Sequence, residues 1–271
     1  MLNEGIKKKK KHLEKILKNS GRILVAYSGG VDSTFLLKSA VECLGVENVG
    51  AFIEKSEVYP DSEISFAKKF VESLGVELFI VSSKKLSDKR FSENSRDRCF
   101  YCKKNLFSKM STIAKKNRFN TLADGSNLDD LSDYRPGNRA KSMYQVISPL
   151  QQACLSKKDI RILSKEMHLP TWNKPQMACL ATRIPYGEKI TVSRLKRVLS
   201  AEKYLKNLGF TTVRARDYNR LCRIEVCSSD IKKVIKFRED IVEALKKIGY
   251  TYITLDLEGY KTGSMNKTVK S

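Results

Sequence analysis

Histidine is almost missing from this chain: its 271 residues hold two, His12 and His168. A multi-histidine metal centre is thereby excluded, and neither His sits in a context that suggests a Ser-His-Asp triad. Long apolar runs are missing too. A run such as Ile23 to Tyr27 is a few residues long, against the roughly 20 needed to cross a bilayer, so no membrane-spanning helix is expected. The start carries Lys7 to Lys11 without a continuous apolar block behind them, which argues against a secretory leader and for a cytoplasmic protein. Acidic residues are also in short supply, 30 against 52 Lys and Arg, leaving a formal charge of +22.

That charge is compatible with a nucleic-acid partner, an anionic small substrate, or a lysine-rich proteome. Lys outnumbers Arg by 36 to 16. Lysine is the residue a biased genome adds to solvated faces, so the few Arg near motifs weigh more than the total. A composition 41% hydrophobic and 30% charged is that of an ordinary globular protein. Seven cysteines, an odd number without a leader, do not make a disulfide framework. Sulfur chemistry stays open.

Alternating elements dominate the first part of the chain. Arg22 to Tyr27, Val49 to Ile53, Glu77 to Val81 and Thr121 to Asp124 read as short buried strands. Helical patterns over Thr34 to Leu44, Ser62 to Leu74, Lys103 to Lys116 and Ser156 to Met167 separate or follow them. This order predicts an α/β fold with a doubly wound parallel sheet. A leading helix over Met1 to Lys18 presents a basic, solvated face. Pro170 to Gly187 holds three of the six prolines and marks a domain junction, giving domains 1–187 and 188–271. The second, smaller α+β domain is expected to run helix Thr191 to Leu208, strands Thr211 to Arg216 and Leu221 to Val226, helix Ser229 to Ile248 and strand Tyr252 to Leu257.

Ser28-Gly29-Gly30-Val31-Asp32-Ser33 follows the first strand and opens the next helix. Two glycines let backbone amides crowd an anion, and the helix N-terminus adds its dipole. Ser28 and Ser33 contribute hydroxyls, and Asp32 suits Mg²⁺ rather than phosphate. No Gly-Lys-Ser/Thr follows, so the Walker pattern is absent. The hexapeptide resembles the pyrophosphate loop of the ATP pyrophosphatases, which implies ATP binding, release of pyrophosphate and adenylation of the substrate. Gly125, at the end of the fourth strand, is a second place for a ligand to approach backbone.

Cys99 and Cys102 stand three apart at a helix start, beside Arg98, Lys103 and Lys104. Redox use, half of a zinc site and plain core packing are the open readings. No second CxxC exists, since Cys222 and Cys227 are five apart. Cys179 lies in a proline-flanked loop beside Arg183, where a nucleophile or ligand is more expected than a core residue.

Four segments together resemble the LarE family. They are Gly125 to Gly137, Leu169 to Trp172 with Lys174-Pro175, the block Gln176 to Gly187 around Cys179, and Leu255 to Tyr260 with Gly263 to Asn266. The resemblance implies an ATP-dependent sulfurtransferase that adenylates a carboxylate of pyridinium-3,5-biscarboxylic acid mononucleotide and installs sulfur, for nickel-pincer cofactor synthesis. In the family pattern Cys179 is the sulfur-handling cysteine. Members with that cysteine alone give up its sulfur and keep dehydroalanine, whereas members with an added CxxC carry an iron–sulfur cluster. Here the implied ligands of a [4Fe-4S] cluster are Cys99, Cys102 and Cys179.

Arg214 and Arg216 alternate on one strand and face the same way, which suits a phosphate clamp; the resemblance also places phosphate-binding arginines there. Arg183 and Glu202, near the junction, complete the expected substrate set. A small mononucleotide is therefore the expected partner, with a homo-oligomeric assembly and no membrane. A tRNA-thiolating pyrophosphate-loop enzyme with three cluster cysteines is the alternative, and the positive charge would serve it. Asp129, Asp133 and Arg135 are open between touching nucleotide and bracing their loop.

Overall fold

A computed structural model describes residues 3–131, 137–175, 178–261 and 263–265. Asp133, Arg135, Gln176, Met177 and Asn266 lie outside the described residues. The chain divides into two compact units, 1–83 with 99–177, and 84–98 with 178–271. The boundary read at 187 thus falls inside the second unit. That unit also takes in an earlier segment, because the Asn94 amide donates to the carbonyls of Ile184, Pro185 and Glu188 at 3.3, 2.6 and 2.9 Å. Ile190 N donates to Ser92 O beside it.

In chain order the first unit starts with α1 (Glu4–Lys18), β1 (Ile23–Ala26), α2 (Val31–Leu44), β2 (Val49–Ser56), α3 (Asp61–Ser73) and β3 (Glu77–Ser83). The short α4 (Lys89–Ser92) belongs to the second unit. The first unit resumes with α5 (Arg98–Lys116), β4 (Thr121–Asp124), α6 (Asn138–Met143), α7 (Pro149–Gln152) and α8 (Lys157–Glu166). α8 opens on the capping pair visible in the sequence, Ser156 Oγ accepting from Asp159 N and Asp159 accepting from Ser156 N.

Its strands are parallel in the order β3-β2-β1-β4, with Ala26 beside Asp124 at the carboxyl ends of β1 and β4. Side chains alternate between two cores, as period 2 requires. Ile23 and Val25 pack with Leu13, Leu17, Phe35, Leu36 and Leu163, and Leu24, Phe52 and Leu122 pack with Phe107 and Met110 of α5. Helices therefore cover both faces, as expected of a doubly wound α/β sheet. The chain runs outward from β1 to β3 and then crosses back to β4, so the switch point falls between β1 and β4. Ligands of such sheets bind in the crevice at that end.

The second unit continues with α9 (Val192–Asn207), β5 (Val213–Tyr218), β6 (Leu221–Val226), α10 (Ile231–Lys236), α11 (Arg238–Ile248) and β7 (Tyr252–Leu255). β6 is central, antiparallel to β5 and parallel to β7. One helix was expected over Ser229 to Ile248; the structure has two, broken at Phe237, where Glu239 and Asp240 supply the negative charge that favours a new helix N-terminus. β5 starts two residues late and runs to Tyr218, because Asn219 takes the left-handed conformation of a tight two-residue turn.

Candidate active site

Gly30 is the N-cap of α2, and Thr34 N makes the first helical bond to Gly30 O at 3.0 Å. The amides of Val31, Asp32 and Ser33 precede that bond and have no intrahelical acceptor, which is the anion cradle. Gly29 has φ +69° and packs against α3, where an added Cβ would lie 3.1 Å from Ala67 Cβ. Ser33 Oγ ties the loop together, accepting from Ser28 N at 3.2 Å and donating to Gly30 O at 3.3 Å. Gly125 closes the other side of the crevice. A Cβ there would lie 3.0 Å from Ser33 N, so only glycine lets β4 end against the helix start.

Asp32 meets Lys157 Nζ at 2.5 Å through Oδ2, while its Oδ1 is buried without a hydrogen-bond partner. Burial raises its pKa from the ordinary carboxyl value, and the charge of Lys157 only partly opposes this. An orphaned buried oxygen beside a phosphate cradle fits Mg²⁺ in donor chemistry. Lys157 is a site residue that sequence reasoning missed. Its place at the start of α8 was legible, but its reach back to α2 depends on the packing of two helices far apart in the chain.

Asp124, at the end of β4, is buried in a polar knot. Lys103 Nζ and Lys141 Nζ lie 3.2 and 3.7 Å from its Oδ2, Ser126 Oγ donates at 2.9 Å and Ser148 Oγ at 2.7 Å. Burial works to raise the Asp124 pKa, yet the two ammonium groups and the hydroxyls override it and hold the carboxyl at about 2. The folded value lies below the unfolded one, so the ionised group stabilises the protein above pH about 4. That contribution, about 2 kcal/mol, is lost as pH falls toward 2. Asp124→Asn is expected to flatten this part of an acid-unfolding curve followed by circular dichroism; an unchanged curve would contradict the assignment. Asp129 braces its loop, accepting from Lys157 N at 2.9 Å.

Cys99 and Cys102 lie three apart within the first two turns of α5, so their side chains leave one face of the helix. Both are half-buried. Cys179 belongs to the second unit. Among the described residues no three His, Cys, Asp or Glu side chains are gathered to hold a metal ion.

In the second unit, the Cys179 backbone is held from several sides. Its carbonyl accepts from Thr182 N at 2.9 Å, Thr182 Oγ1 at 2.8 Å and Arg183 Nη1 at 3.2 Å. Arg183 also holds Ala178 O at 2.9 Å and pairs with Glu202 through Nε–Oε1 at 2.8 Å and Nη2–Oε2 at 3.1 Å. Glu202 Oε1 in turn accepts from Ala215 N of β5. Arg183 and Glu202 are thus mutually satisfied and position the cysteine loop. Their side chains are 3% and 5% exposed, so removing one partner strands a buried charge, at a cost of about 3–5 kcal/mol. Arg183→Met is expected to lower denaturant stability by that amount, and adding Glu202→Leu to recover much of it; equal loss in both variants would refute the pairing argument.

Arg214 and Arg216 are two apart on β5 and both buried, as are Val213 before them and Ala215 between them. Arg216 donates to Thr182 O at 3.1 Å and pairs with Glu225 at 2.6 Å, with its Nε left buried and unpartnered. Arg214 stacks over Tyr260 at 4.9 Å. Burial, followed by repulsion from Arg183, lowers its pKa from the usual guanidinium value. An anion here would relieve that repulsion. Arg216 has a carboxylate partner, Glu225, that the strand pattern alone did not reveal.

Comparison with known proteins gives a consistent result. The family model described as NAD synthase matches residues 5–120. A pyridinium-3,5-bisthiocarboxylic acid mononucleotide synthase of Lactiplantibacillus plantarum is 39% identical over 96% of this chain and 95% of its own length. An uncharacterized protein of Synechocystis sp. is 35% identical over 97% of the chain and 99% of its own length. A tRNA-5-methyluridine(54) 2-sulfurtransferase of Pyrococcus horikoshii is 35% identical over 46% of the chain and 41% of its own length.

Proposed function

The chain belongs to the LarE family of pyrophosphate-loop, ATP-dependent sulfurtransferases, and from that premise we propose that it converts a carboxylate of pyridinium-3,5-biscarboxylic acid mononucleotide to a thiocarboxylate. The observation that carries this reading is the whole-length likeness to the mononucleotide synthase, which spans both units, whereas the tRNA sulfurtransferase resembles under half of the chain.

The first unit supplies the activation. Amides of Gly29 to Ser33 and the hydroxyls of Ser28 and Ser33 take the β and γ phosphates, and Asp32 would hold Mg²⁺, whose charge would offset that of the leaving pyrophosphate. A substrate carboxylate oxygen attacks the α-phosphorus, pyrophosphate leaves, and an acyl-adenylate remains. The second unit supplies substrate and sulfur handling. Arg214 takes the mononucleotide phosphate beside Arg216, whose charge Glu225 already balances, and the Arg183–Glu202 pair keeps Cys179 in place. Sulfur attacks the acyl carbon and AMP departs. The Cys99 and Cys102 thiolates are of the donor type that would hold part of a [4Fe-4S] cluster, and the LarE likeness implies Cys179 as its third ligand. Such a cluster would supply a carrier for sulfide-level sulfur.

The test is anaerobic incubation with ATP, Mg²⁺ and the dicarboxylate mononucleotide, followed by mass spectrometry of the small molecules. The expected product is heavier than the substrate by the difference between sulfur and oxygen, with AMP and pyrophosphate formed in step. Unmodified mononucleotide beside thiolated bulk tRNA in a parallel reaction would overturn the reading.

A further inference from the structure

The segment after α8 sends one lysine back to the phosphate loop. Lys174 Nζ donates to Gly29 O at 3.0 Å and pairs with Glu63 Oε2 of α3 at 2.6 Å. It also lies 4.1 Å from the Phe66 ring centroid. Arg161 fixes the segment, donating to Trp172 O at 2.7 Å and Lys174 O at 2.8 Å.

The bond to Gly29 O has a geometric consequence. No peptide in the described chain is cis, and in a trans peptide the carbonyl and the following N–H point opposite ways. Holding Gly29 O on the Lys174 side therefore turns Gly30 N–H away from the lysine. Without that bond, a peptide between two glycines turns over easily, since neither residue has a Cβ to oppose positive φ. A turned-over peptide would present a carbonyl oxygen, rather than an amide, to an incoming anion. Lys174 itself is bound on the carbonyl side and neutralised by Glu63, so it is placed to orient the peptide rather than to meet the anion.

We propose that Lys174, held by Glu63, is a positioning residue that locks the Gly29–Gly30 peptide with its N–H toward the pyrophosphate part of ATP. This rests on the reading of the loop as the ATP phosphate site.

The test uses the full-length protein, Mg²⁺ and calorimetric titration with inorganic pyrophosphate and, separately, with AMP, which lacks the β and γ phosphates. Lys174→Met keeps the aliphatic stem over Phe66, Lys174→Arg keeps the charge, and Glu63→Gln loosens the lysine without touching it. Lys174→Met is expected to weaken pyrophosphate binding roughly 10- to 100-fold. AMP binding should be unchanged, Lys174→Arg should restore most of the loss, and Glu63→Gln should fall between. In turnover the loss should appear in KM for ATP more than in kcat. Wild-type pyrophosphate affinity in Lys174→Met, or equal losses for pyrophosphate and AMP, would overturn the lock. Wild-type protein that binds neither pyrophosphate nor ATP would instead remove the phosphate-site reading beneath it. If Lys174→Met does not fold, Glu63→Gln decides the matter by the same two titrations.

Discussion

Asp32→Asn is expected to lower ATP-dependent pyrophosphate release by roughly 10²–10³-fold, the loss typical of removing one preorganised electrostatic partner of a leaving group. The substitution keeps the shape of the side chain and removes the charge that Mg²⁺ needs. It should not weaken the ligand-free fold. Burial raises the Asp32 pKa in the folded protein, so above its unfolded value the ionised group costs native stability rather than adding to it. Lys157, its ion-pair partner, keeps enough exposure to turn to solvent. A melting temperature equal to or above wild type, with activity nearly gone, is the expected pair of results. A variant that retains activity, or that simply unfolds, would speak against Asp32 as the metal-bearing group.

Cys179→Ser is expected to separate the two half-reactions. Its carbonyl is fixed by Thr182 and Arg183, and that backbone geometry survives the change of sulfur to oxygen. ATP–pyrophosphate exchange driven by the mononucleotide should stay within about 3-fold of wild type, since no phosphate contact is touched. Thiocarboxylate formation should fall below detection. Intact mass of the wild-type protein after one turnover then distinguishes the sulfur source. Loss of one hydrogen sulfide marks Cys179 as the donor, whereas an unchanged mass with sulfur transferred marks sulfide carried on a cluster. Thiolated product from Cys179→Ser would dismiss this cysteine from either role.

Much of this arrangement is readable from local pattern. Short β-branched runs followed by helical periodicity specify the sheet, and Gly29, Gly30 and Asp32 reveal the loop because their spacing is set by a single strand-to-helix turn. The Ser156–Asp159 cap is visible for the same reason. The contacts that complete the site are not local. Lys157 reaches Asp32 across 125 positions, Lys174 reaches Gly29 across 145, and Lys141 joins the Asp124 knot from a different helix. Lysines are abundant here, so nothing in the pattern separates these from solvated ones. The position of residues 84–98 is hidden too, because it depends on Asn94 recognising carbonyls some ninety residues later. Arg216 shows the converse limit: alternation places it on the right face, but only the fold reveals that Glu225 already neutralises it.

The central claim is that AMP is joined to a substrate carboxyl before sulfur enters. It is tested most directly by turnover of the mononucleotide labelled with ¹⁸O in its carboxylates, with mass analysis of the AMP released. The expected result is one ¹⁸O in the phosphate of each AMP formed with thiocarboxylate, because the oxygen that bridged carbon to phosphorus leaves with the nucleotide. Unlabelled AMP alongside thiolated product would mean that ATP was cleaved without ever bonding to the carboxyl group.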